Sequence, residues 1–302
     1  KVEIMETKLL KGKPVSDHIK SRLSKKISDL KNDGVIPGLA AVLVGDDPAS
    51  HVYVRSKSKV FESNNCFSKT YKMPKDSSES KILDLIDKLN NDSKIHGILV
   101  QLPLPNHLDS KKILNKVSPT KDVDGFHPLN IGSLFEGNPN FIPCTPNGII
   151  QILDYYNIET SGKHVVVIGR SNIVGKPMFG LLAQKFKIGN ATVTMCHTGT
   201  KDISTFTKQA DIVIAAVGVP EMLTSDMIKD GACLIDVGIN RVDDQNSEKG
   251  YTLVGDIDIK SVIGKASSVT PVPGGVGPMT ITMLLYNTVL AAQLSTKTDT
   301  II

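Results

Sequence analysis

The 302-residue chain has only four cysteines, Cys66, Cys144, Cys196 and Cys233, and they stand far apart. No CxxC and no Cys/His cluster is formed, so no zinc or other metal site is expected. Scattered cysteines in a chain of this size fit small core residues in a reducing cytosol. No apolar run approaches the ~18–20 residues of a membrane span. The opening KVEIMETKLLKGKP has no apolar core of a signal peptide, so a cytoplasmic location is expected, with Met5 as the native start. The basic excess is also small: 35 Lys and Arg against 31 Asp and Glu, a net charge of +4. That balance argues against nucleic acid and only weakly favours anionic small molecules. A GxGxxG fingerprint and an internal repeat are both missing.

What is present is the composition of a globular protein, 40% hydrophobic and 22% charged, with a length that suggests about two domains. Val15, Ile19, Leu23, Ile27 and Leu30 trace one helical face. LAAVLVG (39–45) and IHGILVQLPLP (95–105) read as buried strands. Between them, residues 51–64 and KILDLIDKLN (81–90) read as helices, the latter with Ser77 or Ser78 as cap. Strand–helix–strand implies a parallel sheet. Residues 118–148 are rich in Pro, Gly and Asn and have no sustained period, a mark of a functional or interdomain stretch. HVVVIG (164–169), ATVTMCH (191–197), DIVIAAVG (211–218) and ACLIDVG (232–238) are further strands, in the doubly wound pattern. A last helix covers 278–294. The fold class expected is α/β with two domains: residues 1–148 plus 279–302 as a catalytic domain, and 149–278 as a Rossmann-type dinucleotide domain.

The loop after HVVVIG, GRSNIVGKP, has Gly169 at the turn and Gly175 six residues on. It offers backbone N–H groups at a helix start, which suits a phosphate or an ordinary strand-to-helix turn. An NAD site usually carries an acid at the end of the second strand. Here TMCHTGTK has none, and Arg170, His197, Thr198 and Lys201 stand nearby instead. That favours the 2′-phosphate of NADP, unless the basic groups are merely solvated.

On the reacting side, YVRSK puts Tyr53 and Lys57 four apart on one helix face. A desolvated lysine there can move protons near neutrality; a solvated one cannot. Gln101 stands at the C-terminal end of a buried strand, where α/β sheets place ligand groups. Asp122 and Asp124 in KDVDG lack EF-hand spacing. One of them can pair with a cyclic amidine N–H of a pteridine or guanine, or form an Asx-turn. PVPGGVGPMT (271–280) is too restrained for a linker and has no Lys-Ser/Thr for a phosphate loop. It reads as a shaped wall for a flat ligand, where two substrates meet, with a cis Val272–Pro273 bond.

YVRSK, HGILVQLPLP, KDVDGFHPLN, PCTPNG, VIGRSNIVGKP, DVGIN and TPVPGGVGPMT, in this order from residue 53 to 280, resemble the bifunctional methylenetetrahydrofolate dehydrogenase/cyclohydrolase family. The resemblance implies oxidation of 5,10-methylenetetrahydrofolate by NADP+ and hydrolysis of the methenyl product to 10-formyltetrahydrofolate. It implies Lys57 as the key catalytic residue of hydrolysis, Gln101 tuning it, Tyr53 stacking on the aminobenzoate ring and Asp124 holding the pterin. Val100 and Leu102 flank Gln101 in the implied substrate site. Gly169, Arg170, Ser171, Ile173, Thr198 and Ile239 would bind NADP, with Thr198 where some members carry serine. Pro273, Gly274, Gly275, Val276 and Gly277 would shape the folate pocket. A homodimer is also implied. The alternatives are a dehydrogenase without hydrolase activity and a nucleotide-sensing module without turnover.

Overall fold

A computed structural model of the chain describes residues 6–245, 247 and 250–298. The expected start at Met5 lies outside the described residues. The chain opens with β1 (Lys8–Leu9) and α1 (Gly12–Asn32). Next come β2 (Gly38–Val44), α2 (Pro48–Ser63), β3 (Phe67–Met73), α3 (Glu79–Asn90) and β4 (Gly97–Val100). Helices α4 (Ser110–Lys116), α5 (Pro128–Glu136) and α6 (Cys144–Tyr155) follow. Then come β5 (His164–Ile168), α7 (Gly175–Ala183), β6 (Thr192–Cys196), α8 (Ser204–Thr207), β7 (Ile212–Ala215) and β8 (Cys233–Asp236). The chain continues through β9 (Asn240–Asp243), β10 (Tyr251–Val254), α9 (Ile259–Val262), β11 (Ser268–Val269) and α10 (Gly277–Thr298).

Two compact units result, one of residues 17–144 and 281–298, the other of residues 6–16 and 145–280. In the first, β3, β2 and β4 form a parallel sheet in that order. Every residue of β2 is buried, as expected of a strand covered on both faces. Its alternate residues Ala40, Val42 and Val44 share a core with Ile82, Ile86 and Leu89, the apolar stripe of α3. Ser78 caps α3 by accepting from the Lys81 N–H, while Ser77 donates its own N–H to the Pro74 carbonyl.

In the second unit the order is β1-β11-β8-β7-β5-β6, all parallel. Val166 and Ile168 of β5, Val213 and Ala215 of β7 and Leu234 of β8 form the centre of its core. A doubly wound sheet is thus present. The segments between its strands are shorter than full crossover helices: α8 has four residues.

Several elements escape the sequence reading. β3, FSKTYKM, is an edge strand whose exposure alternates, so its polar half hides it. The antiparallel pair β9 and β10 is equally polar on one face. The irregular stretch 118–148 contains α5, which starts at a His127 cap and Pro128 and ends at Gly137 with φ 88°. Residues 6–16, assigned by sequence to the first domain, group with 145–280. There Lys8 and Leu9 pair with Ser268 and Val269. The Val272–Pro273 bond is cis, as expected, and so is Leu102–Pro103.

Candidate active site

In the three-stranded sheet the chain runs from β2 to β3 on one side, then to β4 on the other. Ligand groups collect at strand ends flanking such a reversal. Asp47 accepts from the Ser50 N–H at 2.7 Å and Pro48 fills the first turn, so α2 starts directly beyond β2. Tyr53 and Lys57 then lie one turn apart on it, Tyr53 with 46% of its surface exposed. Gln101 follows β4 and continues the ladder by donating its N–H to the Val42 carbonyl at 2.9 Å. Its Nε2 donates to the Leu102 carbonyl at 2.7 Å. That leaves Oε1 to accept from Lys57 Nζ at 3.1 Å. Val100 packs into the sheet core, and Leu102 is half-buried.

The two acids of KDVDG divide the work that sequence left open. Asp122 is buried and accepts from the N–H groups of Phe126 (3.2 Å) and His127 (2.8 Å) and from Asn130 Nδ2 (2.8 Å). It shapes the turn. Asp124 instead shares an electrostatic environment with Lys57 and the Cys144 thiol. Asn287 of α10 fixes the loop from the other side, donating to the carbonyls of Val123 (2.8 Å) and Ile142 (3.0 Å). Burial pushes the Asp124 carboxyl up to about 6; the Lys57 ammonium opposes this, and Asp122 adds to it.

Two expected results follow from that value. Unfolded aspartate loses its proton near 3.9, roughly two units lower. Between the two values the native chain holds the extra proton, so stability falls as pH rises through this window and is level above it. Asp124→Asn should therefore stabilise the fold at pH 7 by up to about 3 kcal/mol and do nothing at pH 3, read by urea melts. If ionised Asp124 holds a substrate N–H, kcat/KM should fall as pH drops through about 6. An acid limb unchanged in Asp124→Asn would remove Asp124 from that role.

In the six-stranded sheet the reversal falls at β5, flanked by β6 and β7. Gly169 ends β5 with φ 123°. A Cβ there would strike the Ala216 carbonyl, and one at Gly175 would strike the Gly169 carbonyl. Glycine alone lets these backbones close up. Ser171 Oγ accepts from the N–H groups of Val174 (3.1 Å) and Gly175 (3.3 Å). Its hydroxyl proton stays available to a ligand oxygen at the start of α7. Arg170 and Ile173 are exposed beside it, as is Thr198 beyond β6. No acidic residue stands between Thr192 and Lys201. An open backbone cradle with a guanidinium and no carboxylate fits a dinucleotide with an extra phosphate.

The turn 271–277 is tied to the chain's beginning. Gly12 donates its N–H to the Gly274 carbonyl at 2.8 Å, and a Cβ on Gly12 would strike the Gly275 carbonyl. Gly274 has φ 108°. Gly275 donates to the Pro271 carbonyl at 2.7 Å. Pro273 and Gly274 are exposed, Gly275 and Val276 buried. Gly277 opens α10, and a Cβ on it would come within 3.6 Å of Ile239, itself 47% exposed. Sequence reasoning missed Asp236, Asp256, Cys144 and Asn287. Acids beside glycine in DVGIN and GDID were a readable signal for the first two; Asn287 has none.

A molecule with these two strand-end sites is a dinucleotide-dependent enzyme of the α/β class. The family model of the tetrahydrofolate dehydrogenase/cyclohydrolase catalytic domain matches residues 10–124, and that of the family's NAD(P)-binding domain matches residues 143–296. The bifunctional protein FolD of Chlorobium chlorochromatii is 52% identical, over 94% of this chain and 98% of its own. The crystal structure of the FolD dehydrogenase/cyclohydrolase of Campylobacter jejuni superposes with TM-score 0.90 at 48% identity, covering 96% of this chain and 99% of that one. The Trypanosoma brucei enzyme, solved with NADP cofactor and inhibitor, gives 0.91 at 36% identity, covering 97% and 99%. The chain belongs to the tetrahydrofolate dehydrogenase/cyclohydrolase family and is a bifunctional enzyme of one-carbon metabolism. Among the described residues no helix is long and apolar enough to cross a membrane.

Proposed function

We propose that Lys57, oriented by Gln101, moves the protons of methenyltetrahydrofolate hydrolysis, and that the dehydrogenase step uses NADP. The observation that carries the first part is the 3.1 Å contact from Lys57 Nζ to Gln101 Oε1 at the strand reversal. Water adds to the methenyl carbon and loses a proton to the Nζ amine. The carbon–nitrogen bond then breaks as the leaving nitrogen takes a proton back, which yields the formyl product. Gln101 holds Nζ in line through this exchange. Asp124, ionised, accepts from the pterin edge, and Tyr53 offers its exposed ring to the aminobenzoate. Val100 and Leu102 contribute the wall beside Gln101, with Pro273, Gly274, Gly275, Val276 and Gly277 presenting bare backbone to a flat ligand.

Bound NADP+ supplies the hydride acceptor for the oxidation. Gly169, Ser171 and the start of α7 would hold its phosphates, Arg170 and Thr198 the 2′-phosphate, and Ile173 and Ile239 its apolar faces. The support is the cradle's geometry and the missing acid after β6. A charge-assisted hydrogen bond contributes about 1.5–3 kcal/mol, so Arg170→Ala should raise the KM for NADP+ some ten- to hundredfold. The KM for NAD+ should hardly move. Mixing methylenetetrahydrofolate with either dinucleotide and following absorbance of the reduced form tests this. Equal rates with NAD+ and NADP+ in the unaltered protein would refute the preference. A homodimer in the cytoplasm, without nucleic-acid partners, completes the proposal, and sedimentation checks the dimer.

A further inference from the structure

Two carboxylates lie inside the six-stranded unit, outside the phosphate cradle. Asp236, at the end of β8, accepts from the N–H groups of Asp256 and Ile257 (2.9 Å each) and Gly238 (3.1 Å). Asp256 accepts from the N–H groups of Val217 (2.7 Å) and Gly218 (3.0 Å) and from Asn240 Nδ2 (2.9 Å). Among the described residues neither joins an ion pair. Burying two carboxylates without cations is costly, and only a full set of donors offsets it. The backbone is built around them: a Cβ on Gly238 would strike Asp256, and one on Gly255 would strike Asp236.

The donors to Asp256 come from two places. Val217 and Gly218 follow β7, and Asn240 follows β8. These are C-terminal strand ends beyond β5, the side of a doubly wound sheet that takes a dinucleotide. Ile239 lies between Gly238, packed on Asp256, and Asn240, bonded to it. Asp256 itself has no exposed surface, so no ligand touches it.

We propose that Asp256 is a positioning residue for the dinucleotide: by joining the 217–218 loop to the 238–240 loop it sets the rim on which the cofactor rests. The proposal rests on the reading that the cofactor occupies these strand ends. Its mechanism is mechanical. Gly218 has φ 69° and open space where a side chain would stand, so its N–H bond to Asp256 is what restrains it. Ile239 is half exposed and held through its neighbours.

Asp256→Asn keeps the shape but turns an NH2 group toward one of the three donors. The expected result is a tenfold or greater rise in the Kd for NADP+, read by titration calorimetry, with kcat at saturating NADP+ less affected. Methenyl hydrolysis consumes no dinucleotide, so its fall should be several-fold smaller than the loss of affinity. Asn240→Ala deletes the donor to Asp256 Oδ1 at a half-buried position where water can take its place, leaves the two backbone donors on Oδ2, and should raise Kd about threefold. Unchanged Kd in Asn240→Ala, or equal loss of hydrolysis and affinity in Asp256→Asn, would overturn the proposal. If Asp256→Asn does not fold, Asn240→Ala decides alone. Unchanged Kd in Arg170→Ala would instead sink the underlying placement of the cofactor.

Discussion

Lys57→Met should lower methenyltetrahydrofolate hydrolysis by about 10²–10⁴-fold, the range that one positioned acid–base group supplies. Methionine retains the reach of the side chain's carbons and loses the nitrogen that donates to Gln101 Oε1. The six-stranded unit contains neither residue, so the Kd for NADP+ should stay within about twofold of the parent, the range of a substitution that removes no group of the cradle. The decay of methenyl absorbance gives the hydrolysis rate, and titration calorimetry gives the Kd. A variant that still hydrolyses at the parent rate would remove Lys57 from the mechanism. Asp124 should recover a lower pKa only when a cation is near, so the same variant should raise it further, since Lys57 is the main group opposing its upward shift.

Gly169→Ala should abolish NADP-dependent oxidation by at least about a hundredfold, because alanine at φ 123° is strained and its Cβ meets backbone that cannot swing aside. The obstruction is the Ala216 carbonyl. The N–H of the same residue ties the end of β7 to Ile168 at 2.8 Å. Either β5 and β7 part at their ends or the turn rebuilds, and both outcomes dismantle the cradle. Hydrolysis, centred on Lys57, should survive in the protein that folds. Oxidation at the parent rate would show that the turn is not the phosphate site.

How much of this was legible follows from where each constraint acts. LAAVLVG announces itself because both its faces are buried, and six apolar side chains in a row before a glycine suit such a strand. FSKTYKM lies beside it in the same sheet and is silent, since an edge strand shows water half its side chains. Lys57 and Gln101 were readable as types in the right places, a helix face and a strand end. Their pairing was implied only by the family resemblance, because the contact spans 44 residues of chain. Asp122 and Asp124 could not be ranked from KDVDG alone. The N–H groups of Phe126 and His127 claim the first and leave the second to the site. Asn287 bonds to Val123 from 164 residues away, and its surroundings in the apolar run of α10 give no hint of it. The prolines and glycines of PVPGGVGPMT were conspicuous, yet the partner that holds them, Gly12, sits near the other end of the chain.

All four cysteines are free and buried, Cys66 and Cys144 in one unit and Cys196 and Cys233 in the other. Burial pushes the thiols up, Cys66 to about 12 and Cys233 to about 11, so the reactive thiolate is scarce in the closed protein. Each unit therefore carries its own pair of chemical clocks. A thiol reagent added to the native enzyme labels a cysteine only when the surrounding unit opens, and peptide mapping of the label times the opening of each unit separately, with ligands present or absent.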